Sequence, residues 1–304
     1  MDTLNTAAAP AKKSHGARRI NDFKEKLMQG VFTAAACVSV AAVILICVFL
    51  FASGVPAIFE IGAEDFLLGK TWKPSQNTYG IFSMIVGSLY VTAGAMIIGV
   101  PIGILTSVFL AKFCPEKAYK VIKPAVELLA GIPSVVYGFF GLMVIVPFIR
   151  QLFGGSGTSM LAASVVLGIM ILPTIIGVSE SALRAVPDSY YEGSLALGAS
   201  HERSVFFTVL PAAKSGILAG VILGIGRAVG ETMAVVMVAG NQAVIPNKLT
   251  EGVRTMTANI VLEMGYAADL HREALIATAV VLFVFILMIN LSFSVIKRKV
   301  KDNG

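Results

Sequence analysis

Long uncharged runs separated by short polar blocks dominate the chain. Six runs, at 31–52, 81–111, 128–149, 160–179, 216–240 and 274–296, carry almost no charge and are long enough to span a hydrocarbon core; a helix needs about 20 residues for that. None alternates polar and apolar positions as a strand does, and lipid admits only helices or closed barrels. The pattern therefore predicts an all-α polytopic membrane protein of six helices. The run at 81–111 is longer than a bilayer is thick at about 1.5 Å per residue, so it tilts, protrudes or breaks near Pro101. Pro173 reads as a kink. The run at 31–52 exceeds a signal-peptide core of about 7–15 residues and reads as a retained helix. The connecting segments are 1–30, 53–80, 112–127, 150–159, 180–215, 241–273 and 297–304.

Composition agrees. Of 304 residues 56% are hydrophobic and 14% charged, with a mean hydropathy of +0.83, whereas soluble domains carry charge at about 25% of positions. That excludes a water-soluble globular domain. A disulfide scaffold is excluded too, because Cys37 and Cys47 lie in an apolar run and Cys114 in a lysine-rich loop. None has metal-ligand spacing to His15, His201 or His271, so no metal is expected. The net charge of +6 reads as membrane orientation, not nucleic-acid binding. Seventeen Lys and Arg fall in the N-terminal tail, the 112–127 and 180–215 loops and the C-terminus; six fall in the other loops and one, Arg227, within a span. Positive residues stay on the cytoplasmic side. Both termini and the 180–215 loop are therefore expected in the cytoplasm. The basic tail at 1–30 is expected to be disordered and close to anionic lipid.

The 180–215 loop reads as two short helices. Ser189 and Glu192 have capping-box spacing, Gly198 supplies a stop, and a second helix starts near Ser200, with Glu202 in its positive first turn and Pro211 at its end. Tyr190, Tyr191, Leu195, Val205, Phe206 and Val209 make the pair too apolar for a solvated linker. It either folds back under the bundle or docks a cytoplasmic protein.

The run at 216–240 contains Arg227 and Glu231. A charge at the centre of a spanning helix costs roughly 2.5–3.5 kcal/mol on insertion scales. Four-residue spacing predicts that the two pair along one helix. At about 100° per residue they share a face with Gly216, Gly220 and Gly224, which turns that face away from lipid. One reading is a buried ion pair that only assists assembly. The other is a transport pathway or gate, in which the planar Arg227 fork meets an oxyanion while Glu231 holds the guanidinium in place or releases it when the anion arrives. Ser134 and Tyr137 are weaker pathway candidates, because hydroxyls there can bond carbonyls freed by Pro133. In the 241–273 loop Met256, Ile260 and Met264 have helical spacing, either as an interfacial helix that seals the mouth or meets a binding protein, or as a packed cap.

Glu192-Gly193-Ser194-Leu195-Ala196-Leu197-Gly198, followed after nine residues by Thr208-Val209-Leu210-Pro211, resembles the EAA signature of ATP-binding-cassette importer permeases. Gly193 and Ser194 stand where alanines are usual, and Thr208 where isoleucine is usual. The resemblance implies that Glu192, Gly193, Gly198, Ala199, Leu210 and Pro211 belong to coupling helices that dock on an ATPase. Gly226-Arg227-Ala228-Val229-Gly230-Glu231-Thr232-Met233-Ala234-Val235, with Gly240-Asn241 after it, is similar to phosphate importer permeases of the PstC type. So is Gly131-Ile132-Pro133-Ser134-Val135-Val136-Tyr137-Gly138. The similarity covers about residues 75–297. It implies a type I importer (MetI-like) permease core in the bacterial plasma (inner) membrane that moves inorganic phosphate inward. It also implies a heterodimer with a PstA-type permease, two copies of a PstB-type ATPase and an external PstS-type phosphate-binding protein.

No Gly-x-x-x-x-Gly-Lys-Ser/Thr phosphate loop occurs; the cluster at 154–159 lacks the lysine. No nucleophile stands with a base and an orienting carboxylate. No catalytic residue, enzymatic activity or cofactor is therefore expected in this chain, and ATP is expected on partner subunits. Three rivals remain: an ion-gradient secondary carrier relaying through Arg227 and Glu231, an ATP-driven permease for another oxyanion, and a membrane scaffold. Carriers often show two similar halves. No internal repeat is evident here.

Overall fold

The computed structural model describes residues 15–302, so the part of the basic tail at 1–14 lies outside the described residues. Two compact units divide after Ala52. The first consists of the leading part of helix α1 (His15–Ile61), so the segment 15–30, expected to be disordered, is helical. No charge occurs in α1 between Lys26 and Glu60.

The second unit opens with the end of α1, which continues through Pro56 beyond the predicted end at residue 52. Ala57 explains the extension: it is fully buried against Phe66, Trp72 and Leu275 in one apolar cluster. Helix α2 (Ala63–Leu68) and an antiparallel hairpin follow, β1 (Trp72–Lys73) with β2 (Thr78–Tyr79), pairing Trp72 with Tyr79. Helix α3 (Phe82–Val108) passes Pro101 unbroken and ends in one π turn, Phe109–Phe113. Helix α4 (Glu116–Gly131) takes the residues 128–131 that were expected to begin the third span. Pro133 forces Ile132 into an extended conformation, with ψ 127°, so the spanning helix starts only at Ser134. It runs as α5 (Ser134–Phe140), a π turn (Gly141–Ile145) and α6 (Val146–Phe153).

Helix α7 (Met160–Arg184) forms the centre of the core. Its start is capped by the Ser159 hydroxyl, which accepts the Ala162 amide at 3.2 Å, and Pro173 does not interrupt it. Two helices close on it through glycines. Gly99 and Gly103 of α3 meet Ile171 and Ile175, and Gly220 and Gly224 of α11 (Lys214–Gly230) meet Ser179, Val178 and Ile175. Small residues at such contacts let backbones approach closely enough for dispersion to hold helices in lipid.

Between α7 and α11 lie α8 (Asp188–Ala196), α9 (His201–Ser204), a π turn (Val205–Val209) and α10 (Leu210–Ala212). The chain closes with α12 (Met233–Val238), α13 (Met256–Glu263) and α14 (Asp269–Asp302). Among the described residues five helices are long and apolar enough to span a bilayer: Lys24–Ile61, Phe82–Phe113, Ser134–Phe153, Met160–Arg184 and Asp269–Ser292. A sixth arises only if His201–Ala212 and Lys214–Gly230 are joined across their 69° bend. The fold is all-α apart from the hairpin.

Candidate functional site

The predicted fifth span is not one helix. Helix α11 stops at Gly230; Glu231 is extended, with φ −69° and ψ 136°, and α12 starts after Thr232. No proline enforces the break. Polar groups satisfy it instead: the Glu231 carboxylate accepts the Ala234 amide at 3.0 Å, and the Glu231 carbonyl accepts the Thr257 hydroxyl at 2.9 Å. A broken helix is tolerated at membrane depth where such partners replace the lost backbone bonds.

The break overturns the expected pairing of Arg227 with Glu231. Four-residue spacing brings side chains together only on a continuous helix, and Glu231 has left the helix. No ion pair among the described residues involves either group. The half-buried Arg227 guanidinium instead donates a long hydrogen bond, 3.4 Å, to the Thr174 hydroxyl on α7. Gly216, Gly220 and Gly224 share its side of α11, as expected, but a Cβ at any of them would press on α7, so no open path runs beside them. A Cβ at Gly226 or Gly230 would meet nothing within 4 Å. Helix α12 leans on α5, where a Cβ on Gly138 would lie 2.9 Å from Ala234 Cα.

Of the weaker candidates, Tyr137 is buried and donates its phenol to the Leu129 carbonyl at 2.7 Å, across the Pro133 kink. That commits its hydroxyl to the structural role. Ser134 is half-buried at the first position of α5.

The helix pair in the 180–215 loop has one face packed inward and one face exposed. Val205, Val209, Leu210 and Tyr191 pack inward in a cluster with Leu183 and Ile217. Glu192, Gly193, Leu195 and Pro211 are exposed, Ala199 is half-buried, and Leu197 at the tip is 91% exposed. Gly198 turns the chain with φ +87°, and its amide donates to the Leu195 carbonyl at 2.9 Å. Positive φ is why glycine stands there. The Ser200 hydroxyl accepts the Arg203 amide at 3.3 Å, as its capping position predicts. The Ser189–Glu192 capping box does not form: α8 already starts at Asp188, behind Pro187, with no side-chain cap. Proline with its fixed φ makes an adequate start without one. The second helix ends at Ala212, one residue past Pro211.

Two buried carboxylates had no local signal. Glu263, on α13, accepts Trp72 Nε1 at 2.8 Å and Arg254 Nη1 at 2.7 Å, and meets His271 Nε2 at 2.9 Å. Arg254 Nε also donates to the Asn241 carbonyl at 2.9 Å, just beyond α12. With Met256 and Asn259 fully buried, the helix at Met256–Glu263 is a packed cap tied to the break, not an interfacial helix. Glu180, on α7, accepts Tyr119 at 2.8 Å, Lys123 at 2.8 Å and Arg184 Nε at 2.9 Å. Its hydrogen bonds hold the Tyr119 phenol and the Lys123 ammonium above their ordinary pKa values. Partners 57 and 61 residues distant in sequence could not be matched before folding.

The family described as binding-protein-dependent transport system inner membrane component matches residues 99–302. A probable ABC transporter permease protein, YqgH of Bacillus subtilis, is 39% identical over 281 residues, 89% of this chain and 90% of that protein. The phosphate transport system permease protein PstC of Mesorhizobium japonicum is 34% identical over 265 residues, 80% of this chain and 81% of that one. Among solved structures, a chain of the inward-facing MetNI methionine ABC transporter superposes with a TM-score of 0.58 at 22% identity, covering 76% of this chain and 99% of its own.

Proposed function

The chain belongs to the family of binding-protein-dependent transport system inner membrane components, a multi-pass transport component with the MetI-type permease fold, and from that premise we propose that its substrate is inorganic phosphate, moved inward. The support is the extended similarity to PstC proteins together with one observation, a half-buried guanidinium with no carboxylate partner among the described residues, beside a break in the fifth spanning segment. An unpaired planar cation in a low-dielectric setting favours an oxyanion, which it grips by two parallel hydrogen bonds. Glu231, held at the break by the Ala234 amide, sets the shape of the path next to it. Repulsion between its carboxylate and the anion opposes trapping.

Transport proceeds by alternating access, with ATP bound and hydrolysed by partner subunits and no cofactor in this chain. The assembly comprises a PstA-type permease, a PstB-type ATPase dimer and a PstS-type binding protein. The ATPase docks on the exposed face carrying Glu192, Gly193 and Leu197, with Gly198, Ala199, Leu210 and Pro211 setting its shape. Both termini and this loop face the cytoplasm, the side that holds most Lys and Arg.

The test is ATP-dependent phosphate uptake by the reconstituted complex, with sulfate and molybdate as competitors. Uptake should resist both competitors, and Arg227→Gln should lower it about tenfold or more, the cost of losing one charge-assisted contact. Parental uptake in the Arg227→Gln, Glu231→Gln double variant would remove the pathway role. Uptake driven by an ion gradient in the absence of the ATPase would replace the importer with a carrier.

A further inference from the structure

The carbonyl of Leu110 cannot be satisfied by its own helix. In the π turn Phe109–Phe113 the Cys114 amide donates to Phe109 at 2.8 Å instead of to Leu110, and the next residue, Pro115, has no N–H. Leu110 is 1% exposed, so water does not complete the bond. Arg184 does: its Nη2 donates to the Leu110 carbonyl at 2.8 Å, while its Nε donates to Glu180 at 2.9 Å. Glu180 is 2% exposed and is held in turn by Tyr119 and Lys123 of α4, and the Arg184 guanidinium lies 4.6 Å above the Tyr119 ring. One buried carboxylate thereby locks the fork that closes the π turn.

The same turn seats the helix pair at 188–212. Lys112 Nζ is 3.9 Å from Asp188 at the start of α8 and 5.9 Å from the Tyr191 ring. The Phe113 ring stands edge-on to His201 of α9 at 4.6 Å, and His201 Nδ1 is 2.7 Å from the Tyr191 hydroxyl. Both helices of the pair thus rest on Lys112 and Phe113, two and three residues after the carbonyl that Arg184 holds.

We propose that Glu180 and Arg184 are positioning residues for energy coupling: through the Leu110 carbonyl they stiffen the turn beneath the helix pair, so that a displacement of the pair moves α3, α4 and α7 as one body. This rests on the reading that an ATPase acts through residues 189–211. Only arginine fits the task, because a lysine ammonium cannot present the rigid fork that spans Glu180 and the carbonyl. Glutamine at 180 would offer one acceptor oxygen where two are used.

The experiment measures ATP hydrolysed per phosphate transported by the reconstituted complex for the unaltered chain, Glu180→Gln, Arg184→Lys and Lys120→Met. The first two substitutions should raise that ratio by about two- to thirtyfold, the span for residues on a coupling route, at unchanged subunit stoichiometry. Lys120→Met, at an exposed position of α4 outside the Glu180 group, should change it by less than about twofold. A purely structural role would lower assembly and leave the ratio alone, and that outcome overturns the proposal. So does failure of both Glu180→Gln and Arg184→Lys to assemble, since the pair would then serve folding. An unaltered complex that neither hydrolyses ATP nor moves phosphate sinks the functional reading itself; normal coupling in the variants beside a working parent sinks only this inference.

Discussion

Among the described residues, Glu180 and Glu263 are buried charges with close charged partners, whereas the half-buried Arg227 has no ion-pair partner. Glu180 and Glu263 each collect three hydrogen bonds, which offset the several kcal/mol of desolvation that a buried ion suffers. Arg227 has only a long contact to Thr174. A cation left so poorly compensated costs stability, and its retention is intelligible if the compensating anion is the cargo. The Glu180 group carries a prediction about pH. Hydrogen bonding to Glu180 raises both Tyr119 and Lys123 above their ordinary values of 10.0 and 10.5. The folded chain therefore holds these protons more tightly than the unfolded chain does. Their contribution to stability is complete below about pH 10 and is lost as pH rises through the raised values. Thermal melting of the detergent-purified chain should fall above about pH 10, and less steeply for Tyr119→Phe. An equal slope in that variant would detach the phenol from the effect. Arg227 and Glu231 were legible in the sequence because they interrupt an apolar run, whereas Glu180 looks like any polar residue near the end of a span. What distinguishes it is Tyr119 and Lys123, 61 and 57 residues away, which only the meeting of α4 with α7 brings to it.

Helices here are set by spacing and capping, and joined by small residues. Ser159, Ser200 and Gly198 sit at helix boundaries for reasons visible in the local sequence: a hydroxyl for a free amide, or a glycine for a left-handed turn. The interruption after Gly230 is different in kind. Arg227 to Val235 reads as continuous helix, and the break is satisfied in part by Thr257, from a segment 26 residues later, which donates to the Glu231 carbonyl. Close packing of α11 on α7 gives a second prediction. A Cβ at Gly220 would lie 3.1 Å from Ser179 Oγ and 3.2 Å from Val178 Cβ. Gly220→Val should therefore cost about 1–3 kcal/mol through overpacking. Gly226→Ala, where nothing lies within 4 Å, should stay within about 0.5 kcal/mol of the parent in the isolated chain. Unfolding of the two variants under one set of conditions decides it; equal losses would mean that α11 does not depend on that contact.

In the whole molecule, the distribution of Lys and Arg predicts one arrangement, with the helix pair at 188–212 on the inner side and the Glu263 cap on the outer. A chain with Cys37, Cys47 and Cys114 replaced should be labelled at Leu197→Cys by a membrane-impermeant maleimide only when the inner face is exposed. Lys248→Cys should react only from outside. Labelling of Leu197→Cys in intact cells would invert the topology and remove the docking face with it. The class of the protein, most of its long apolar helices and the existence of a helix pair in the 180–215 loop were already present in the linear order of residues, since hydropathy, charge and caps act over one or two turns of chain. Which residues the membrane charges meet was not. Whether Arg227 finds Glu231, which carbonyl Arg184 completes, and how Trp72 reaches Glu263 across 191 residues depend on which helices lie side by side. Such contacts are chosen by packing between distant segments, where close approach at glycines and the cost of an unpaired buried polar group outweigh every local preference.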